Sequence, residues 1–596
     1  MAGDVFTLIA GGKAGYGVRK AGTVAARLFA RMGRRIFQMD DYPSLIRGGH
    51  NFFAVSTATG PLTSHYLKAD LLVCLDQRSV DAHQGHLSPR GVMVLDDKAR
   101  ARDMTQTSGV SDRVPSLVSL PFSSAAKKYS EPDLITGVAV AAVLAAAIGM
   151  SEEELAKLIE QEYRRGTEEN TAYARAIYNA ARPALGGRFK LEHGDKERPL
   201  LSGNEAISLG AVASGLDIFF AYPMTPASSI LTFLAGKARE FGVVAVHPEN
   251  EIGVMNMAIG AATAGARTMG ASSGGGFALM QEAFSLAGMA EVPLLCVLSS
   301  RPGPSTGLPT YTSQGDLNFA LNQGHGEFPR VVASPGSVEE AYLLAAELMS
   351  LAWEFQSPVI LLTEKHLSEC HVTTELETGK AAWPEPVVGH DPNPPGIGDR
   401  VPDVPYQRYL DTPTGISPLS FPPSAELIKW NSYEHDEDGF TTEDAVMSAR
   451  MADKRRRKGE SLAAHLRTLH TVNTWAAGHD RNPPGIADRV PRTNGLGRVP
   501  DAPVIITYGS TTLSVLEALR CGGIEATVVQ PVYLEPLPVW ELSRYAHQDV
   551  TVVEQSSTGL FASLLKEKAG ITSARVIKRY DGRPFAPEEL AAELKS

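Results

Sequence analysis

The chain has 596 residues, of which 43% are hydrophobic and 21% are charged, so it is long enough for three or four globular domains. Its formal net charge of −11 argues against nucleic acid as the main partner. The first residues, MAGDVFTLIAGGKAG, lack a basic segment followed by a long apolar one, and no run of about 18 apolar residues occurs further on. We therefore expect no signal peptide, no membrane span and a cytoplasmic location.

Residues 1–190 predict one α/β domain. The apolar strand VFTLIAGG ends in glycines and is followed by an amphipathic helical stretch, and DLLVCL and GVMVL are further buried strands. Strands that alternate with helices indicate a mostly parallel sheet. Later in the unit, Ser151 and Glu154 form the pattern of a capping box, which predicts that a helix begins there.

Two more α/β domains follow. Residues 191–375 begin with a polar linker and then contain the strands DIFFAYP, VVAVHP, TMGASS, PLLCVL and PVILL. Residues 501–596 repeat the alternation in a shorter form, with the strands PVIITYGS and DVTVVEQSS. The fold class is therefore expected to be α/β, with three domains built on parallel sheets.

A proline-rich connecting region, residues 376–500, separates the second domain from the third. It contains an internal repeat, GHDPNPPGIGDRVP at 389–402 and GHDRNPPGIADRVP at 478–491, whose copies we interpret as extended loops that brace the domains. The same region holds an acidic run, EHDEDG, and a basic run, DKRRRKGE. A cation site and a phosphate site are possible for these runs, but solvated surface is the favoured interpretation of both.

The four cysteines are spread over the chain and none belongs to a C-x-x-C pair. Iron–sulfur clusters and structural zinc sites require clustered cysteines. Cys74 and Cys296 lie within the apolar runs LLVCL and PLLCVL, as core residues do. We therefore expect neither a metal site nor an iron–sulfur cluster in this chain.

One helical stretch of the second domain, ENEIGVMNMAIGAATAGAR, opens with Glu249 and Glu251 before a run of small residues. A carboxylate that is buried there needs a partner or a chemical role. The next predicted strand runs into GASSGGGF, a loop that contains Ser273 and Gly274. Such a loop either lets backbone amides approach a ligand or simply makes a tight turn.

Two further stretches follow predicted strands of the same domain. In AYPMTPASS, Pro223 and a second proline fix the backbone on either side of Thr225. In SSRPGPSTGLPTYTSQGDL, Arg301 and Thr310 lie in a proline-rich loop, where an arginine is suited to bind a carboxylate. Ligands of open α/β sheets sit at the carboxyl ends of the strands, so these residues and Glu251 favour a site for an anionic, planar ligand.

These stretches resemble the pyrimidine-binding domain of thiamine diphosphate enzymes and, more closely, the α subunit of 2-oxoacid:ferredoxin oxidoreductases. The resemblance rests on Y-P-x-T-P, on a glutamate nine residues before a glycine, and on R-x-G-P-S-T-G-x-P-T. Residues 1–190 resemble the γ subunit of that family through GGKAGYGV and DDYPSLIRGGHN, and the last domain resembles its transketolase C-terminal-like domain. The resemblance covers nearly the whole chain and implies a fused γ–α subunit, an arrangement common in 2-oxoglutarate-type members.

The resemblance also implies which residues contact the cofactor. Glu251, nine residues before a glycine, matches the buried glutamate that bonds N1′ of the thiamine aminopyrimidine. Thr225 and Pro223 of Y-P-x-T-P, with Ser273 and Gly274 of the glycine loop, are implied to line the cofactor.

Other residues are implied to bind the substrate. Arg301 and Thr310, together with Thr225, are implied to hold the 2-oxoacid carboxylate. In the γ-like domain, which the family uses on the coenzyme A side, Lys13 or Arg47 could meet the second carboxylate that 2-oxoglutarate has and pyruvate lacks. Solvent exposure is an equally good interpretation of each.

Two departures from the family bear on these expectations. Gly275 stands where the family has the proline of S-G-P-G, which loosens the glycine loop. The G-D-G motif that binds the diphosphate and Mg²⁺ in thiamine enzymes is missing from the sequence. The resemblance therefore implies a β subunit that brings the diphosphate and Mg²⁺ site and a [4Fe–4S] cluster, with the active site between the chains.

We expect the α subunit of a 2-oxoglutarate:ferredoxin oxidoreductase, which converts 2-oxoglutarate and coenzyme A to succinyl-CoA and CO₂ and reduces ferredoxin. The family implies a dimer of heterodimers. A pyruvate-type or branched-chain-type member differs only in its substrate pocket and stays open. A thiamine decarboxylase or synthase without redox partner, a scaffold subunit without activity, and a nicotinamide dehydrogenase that uses GGKAGYG as a dinucleotide loop are the alternatives of other classes.

Overall fold

The computed structural model describes residues 4–43, 49–101, 116–386, 406–424, 426–477 and 502–596. Arg47 and both copies of the proline-rich repeat lie outside these residues, so the interpretation of the repeat stays a prediction. No helix in the described ranges has both the length and the apolar content that a bilayer crossing needs.

The described residues of the first part of the chain form six strands and seven helices. The strands are β1 (Phe6–Lys13), β2 (Arg35–Asp41), β3 (His50–Ala58), β4 (Ala69–Cys74), β5 (Leu87–Asp96) and β6 (Ser116–Leu120). The helices are α1 (Val18–Arg31), α2 (Gln77–His83), α3 (Phe122–Ala126), α4 (Pro132–Ile135), α5 (Val138–Ile148), α6 (Glu152–Glu162) and α7 (Thr167–Leu185). The predicted capping box at the start of α6 is confirmed, because Ser151 and Glu154 each bond the other's backbone N–H.

The second part of the chain contributes eight strands and eight helices. The strands are β7 (Leu200–Ser202), β8 (Ile218–Ala221), β9 (Val244–Val246), β10 (Thr268–Ser272), β11 (Leu294–Ser300), β12 (Val331–Ala333), β13 (Pro358–Glu364) and β14 (His371–Thr373). The helices are α8 (Gly203–Ala213), α9 (Ser228–Phe241), α10 (Glu251–Thr263), α11 (Gly274–Leu279), α12 (Gln281–Met289), α13 (Leu317–Leu321), α14 (Val338–Phe355) and α15 (Lys365–Glu369).

The last part of the chain opens with one long helix. This is α16 (Ala445–Leu466), and the later helices are α17 (Thr511–Gly522), α18 (Val539–Leu542), α19 (Leu560–Ala569) and α20 (Pro587–Lys595). The strands are β15 (Val472–Ala477), β16 (Val504–Ile506), β17 (Ala526–Pro531), β18 (Tyr533–Glu535), β19 (Val550–Glu554) and β20 (Arg575–Lys578).

The strands of the described residues form three sheets, and the predicted α/β class is confirmed. Their orders are β6-β5-β4-β1-β3-β2-β14-β7, β18-β12-β13-β11-β10-β8-β9 and β15-β17-β16-β19-β20. The second and third sheets are parallel except at β18 and β15. The first sheet is mixed: β1 runs antiparallel to β3, and β3 runs antiparallel to β2. Residues 42–49 join β2 to β3 and are too few for the crossover of roughly a dozen residues that a parallel pair needs.

The sheets exchange strands between parts of the chain. β14 follows the second sheet in sequence but pairs with β2 of the first sheet, where His371 lies opposite Gln38, and β7 pairs with β14 in turn. β18 comes from the last part and pairs with β12 of the second sheet. β15 belongs to the third sheet although it precedes residue 501, the predicted start of the third domain, because VNTWAA pairs antiparallel with β17.

The acidic and basic runs of the connecting region bind each other. Arg455 of α16 donates to Glu434 at 2.6 Å. Two lysines of the same helix, Lys454 and Lys458, are completely buried. The expectation of solvated surface was wrong for these residues, because a helix turns residues four apart toward the same side and here that side packs on the second domain.

Glu364 lies where the second sheet meets the third. It ends β13, is 2% exposed, and accepts a hydrogen bond from the backbone N–H of Ser510 at 3.3 Å. Burial raises the pKa of Glu364 to about 7. Close by, the Gln314 side chain donates to the Tyr508 carbonyl at 2.9 Å and accepts from the Gln555 N–H at 2.8 Å, so hydrogen bonds join the two domains at this point.

Replacing Glu364 with glutamine is expected to make stability less dependent on pH. Between pH 4.5 and 7 the folded chain keeps a proton on Glu364 that the unfolded chain has lost, so the wild type loses stability as pH rises through this window. The loss is at most about 3 kcal/mol. Thermal unfolding from pH 5 to 8 should show the Tm of Glu364→Gln rising relative to wild type. The exposed Glu240→Gln is the control, and an unchanged difference between Glu364→Gln and wild type across this range would contradict the prediction.

Candidate active site

Glu251 is the buried one of the two carboxylates that open α10. The side chain of Asn250 caps the helix by accepting the N–H of Gly253 at 2.9 Å, which starts α10 at Glu251. Glu251 is 3% exposed, whereas Glu249 is exposed to solvent. The helix packs on the second sheet through small and apolar residues such as Ala258. Of the two carboxylates, Glu251 is therefore the one that folding removes from water.

Two buried oxygen atoms beside this helix end have no hydrogen-bond partner within the described residues. They are Oε1 of Glu251 and Oγ of Ser273. Buried polar atoms of native proteins are nearly always paired, and a buried carboxylate oxygen without a donor is costly. The pair of atoms therefore marks a place that a polar ligand group can complete.

The glycine turn from Gly274 to Gly276 is shaped by two carboxylates. A Cβ on Gly276 would lie 2.2 Å from Oε1 of Glu251, and a Cβ on Gly274 would lie 2.8 Å from both carboxylate oxygens of Asp316. Glycine is required at both positions because the carboxylates occupy the space that a side chain would fill. The predicted cofactor-facing residue Gly274 thus makes room for Asp316.

Gly275 is the open position of the turn. The nearest atom to a Cβ placed there is the Ser305 carbonyl oxygen at 4.0 Å. Gly275 is also the second residue of α11, where the backbone N–H has no partner within the helix. This position can therefore take a proline.

Gly275→Pro is expected to preserve activity and to raise the free energy of unfolding by about 0.4–1 kcal/mol, because it restricts the unfolded chain. Gly276→Ala is the matched contrast, since its methyl group would displace Glu251 and should abolish most activity. Thermal unfolding and turnover of the assembled enzyme measure both effects. A loss of turnover in Gly275→Pro as large as that in Gly276→Ala would contradict the assignment of Gly275 as the open position.

Arg301 and Thr225 lie side by side at the carboxyl ends of β11 and β8. Nη1 of Arg301 donates to the Thr225 carbonyl at 2.8 Å. Both residues are half-buried, while Pro223 is exposed. Burial lowers the pKa of Arg301 and the Asp316 charge opposes this, so the guanidinium stays a cation. A guanidinium carries five N–H donors, so this bond leaves others that can bind a carboxylate.

Thr310 bonds the first domain. Its side chain is 3% exposed, and its hydroxyl donates to the Tyr42 carbonyl of the first domain at 2.5 Å. A hydroxyl has one proton, so Thr310 would have to give up this bond in order to donate to a substrate carboxylate. The Tyr42 hydroxyl in turn donates to Glu369 at 2.8 Å, so the loop that carries Thr310 is tied to the first domain.

Lys13, one of the two residues predicted to meet a second carboxylate, pairs with an acidic side chain of the first domain. The side chain of Lys13 is 50% exposed and lies 3.6 Å from Asp133, with which it forms an ion pair in the first domain. Arg47 lies outside the described residues. In the described part of the chain, no three His, Cys, Asp or Glu side chains are grouped to bind a metal ion.

Asp316 is the site residue that sequence reasoning missed. It lies between the carboxyl end of β11 and the glycine turn, and it immediately precedes α13. The available signal was an acidic residue that closes the proline-rich loop just before an apolar helix. That signal is weak, because an aspartate before a helix is also a common cap.

Two family models match the chain. The model for pyruvate flavodoxin/ferredoxin oxidoreductase, thiamine diphosphate-binding, matches residues 209–450, which include Thr225, Glu251 and Arg301. The model for pyruvate ferredoxin/flavodoxin oxidoreductase matches residues 7–180.

Similar proteins cover almost the entire chain. The α subunit of 2-oxoacid:ferredoxin oxidoreductase 2 from Aeropyrum pernix is 29% identical over 660 residues, which cover 99% of this chain and 97% of that protein. The 2-oxoglutarate synthase subunit KorA of Archaeoglobus fulgidus is 43% identical over 169 residues, 28% of this chain and 49% of that subunit. A 2-oxoglutarate:ferredoxin oxidoreductase structure from Magnetococcus marinus, with 2-oxoglutarate, coenzyme A and succinyl-CoA bound, shares the fold at a TM-score of 0.83 and 24% identity, with 99% of each chain covered.

Proposed function

Because the chain belongs to the family of 2-oxoacid:ferredoxin oxidoreductases, as an α subunit, we propose that it oxidatively decarboxylates 2-oxoglutarate. The reaction consumes coenzyme A, releases succinyl-CoA and CO₂, and reduces ferredoxin. The observation that carries the proposal is the buried Oε1 of Glu251, which has no hydrogen-bond partner among the described residues and lies against the glycine turn in the domain that matches the thiamine diphosphate-binding model.

The residues around Glu251 fit the pyrimidine part of thiamine diphosphate. Glu251 and Ser273 supply buried oxygen atoms that bond no other described residue, and such atoms suit a ring that carries both hydrogen-bond donors and acceptors. Thr225, Pro223 and Gly274 are the other residues that would hold it. When bound, thiamine diphosphate supplies the electron sink for loss of CO₂ from a 2-oxoacid.

Glu251 and Arg301 have separate tasks in this proposal. Glu251 holds or shares a proton at a ring nitrogen of the cofactor, because its buried oxygen has no competing donor in the described residues. Arg301 binds the carboxylate of the 2-oxoacid and orients the keto carbon. Thr225 positions Arg301 through its carbonyl oxygen. Thr310 holds the proline-rich loop that also carries Arg301 against Tyr42.

A β subunit is part of the proposal. The sequence contains no G-D-G motif and no C-x-x-C pair. We therefore assign the diphosphate and Mg²⁺ site, the [4Fe–4S] cluster and the contact with ferredoxin to that partner, in a dimer of heterodimers. The γ-like domain, residues 1–190, then receives coenzyme A.

Relatives that act on or bind 2-oxoglutarate support it as the substrate. The KorA relatives are 2-oxoglutarate synthase subunits, and the solved structure of similar fold contains 2-oxoglutarate. Other relatives are named only for 2-oxoacids in general. Lys13 or Arg47 would bind the second carboxylate, and Lys13 would then exchange its ion pair with Asp133 for the substrate.

The test is to purify the chain with its native partner and to follow dye reduction without oxygen. Reduction that requires coenzyme A and prefers 2-oxoglutarate to pyruvate supports the proposal. A preference for pyruvate or a branched-chain 2-oxoacid overturns the substrate and keeps the reaction class. A complex that contains no thiamine diphosphate overturns the proposal altogether.

A further inference from the structure

We propose that Asp316 is a positioning residue of this active site: its carboxylate fastens the strand end that carries Arg301 to the glycine turn beside Glu251. The inference rests on the proposed function, because it takes Arg301 as the group that binds the substrate carboxylate. Asp316 itself is not proposed to touch substrate or cofactor.

One side of the Asp316 carboxylate holds the end of β11. The Ser300 hydroxyl donates to Oδ2 of Asp316 at 2.8 Å. The main-chain N–H of Arg301 also favours the ionised carboxylate, and the Arg301 side chain attracts it. Two consecutive residues of the strand end are thus fixed by one side chain.

The other side of the carboxylate fills the space over the glycine turn. Both oxygens of Asp316 lie 2.8 Å from the point where a Cβ of Gly274 would stand. The carboxylate of Glu251 fills the corresponding space over Gly276, two residues after Gly274 in the turn. The turn is therefore held between two carboxylates, and Asp316 sets the separation between Arg301 and the part of the turn that faces Glu251.

This separation matters for the proposed reaction. Arg301 binds the carboxylate of the 2-oxoacid, and the cofactor that Glu251 would hold has to reach the adjacent keto carbon. The distance between Arg301 and Glu251 must therefore stay fixed. A misplacement of 1 Å can lower a rate by about a hundredfold. Burial raises the pKa of Asp316 while Ser300 and Arg301 oppose this, so the group depends on these two donors for its charge.

The experiment compares Asp316→Ala and Asp316→Asn in the complex with the native partner. The asparagine variant keeps an oxygen that can accept from Ser300, and the alanine variant removes both. In Asp316→Ala the kcat/KM for the 2-oxoacid should fall by about a hundredfold, and in Asp316→Asn by much less. The matched control is Asp217→Ala, which removes a carboxylate that accepts the Arg267 N–H at 2.7 Å in the loops that precede β8 and β10, at the opposite end of the strands.

A second readout does not depend on turnover. The rate at which phenylglyoxal modifies Arg301 in the full chain, followed by mass spectrometry of its peptide, should increase in Asp316→Ala and stay unchanged in Asp217→Ala. The exposed Arg239 is the internal control. Unchanged Arg301 reactivity with a lower Tm would overturn the positioning role. Increased reactivity in an enzyme that turns over no 2-oxoacid, even as wild type, would support the positioning and overturn the proposed function.

Discussion

Replacing Glu251 with glutamine is expected to lower turnover of the assembled enzyme by about two to four orders of magnitude. The substitution keeps the size of the side chain and removes the group that can hold and release a proton at the buried position. Oε1 of Glu251 has no hydrogen-bond partner among the described residues, so replacing the carboxylate with an amide breaks no hydrogen bond of this atom. The loss should therefore fall on the chemical step, kcat, rather than on assembly.

The stability of the same variant separates the chemical role from a structural one. Removing an unpaired buried carboxylate should leave the Tm of the chain unchanged or higher. Glu249→Gln is the control, because it makes the same substitution two residues earlier at an exposed position. A Glu251→Gln enzyme with full turnover, or an equal loss in Glu249→Gln, would refute the role of Glu251.

Glu291→Gln is expected to lower the free energy of unfolding of the chain by about 3–5 kcal/mol. The Glu291 carboxylate accepts from Lys454 at 2.8 Å and from Lys458 at 2.7 Å, and all three side chains are 0–1% exposed. The Arg408 guanidinium, also buried, donates to the Glu291 carbonyl at 2.7 Å. Removing the only carboxylate of this group leaves buried cations without a counter-charge.

Thermal or urea unfolding of the purified chain measures this loss. The matched control is Glu240→Gln, which breaks an exposed pair with Lys237 of the same length, 2.7 Å, and should change stability by about 1 kcal/mol or less. Changing Lys454 and Lys458 to methionine together with Glu291→Gln should recover most of the loss, because both buried ammonium groups are then removed along with the carboxylate that neutralises them. Equal effects of Glu291→Gln and Glu240→Gln would contradict the prediction.

Local signals in the sequence predicted a large part of the fold and of the candidate site. The capping box at Ser151 is complete within four residues, so its pattern was sufficient. Glu251, Thr225 and Arg301 all follow strands of one parallel sheet, and the rule that carboxyl ends gather at one edge brought them together. Arg301 does contact Thr225.

Contacts that join distant parts of the chain could not be predicted. Thr310 bonds a carbonyl 268 residues away, and no local pattern names such a partner. Asp316 has its effect by filling space over Gly274, a relation that exists only in three dimensions. The charges of α16 were misjudged for the same reason, because the pattern shows which charges share a helix face and not what that face meets.

The exchange of β14 into the first sheet constrains synthesis of the protein. A ribosome completes β2 long before it reaches residues 371–373, so the backbone groups on the outer side of β2 stay without their strand partner for most of translation. Unpaired strand edges invite association with other chains. A nascent polypeptide that stops near residue 190 therefore carries an open edge, and the first domain reaches its final form only after the second has been made.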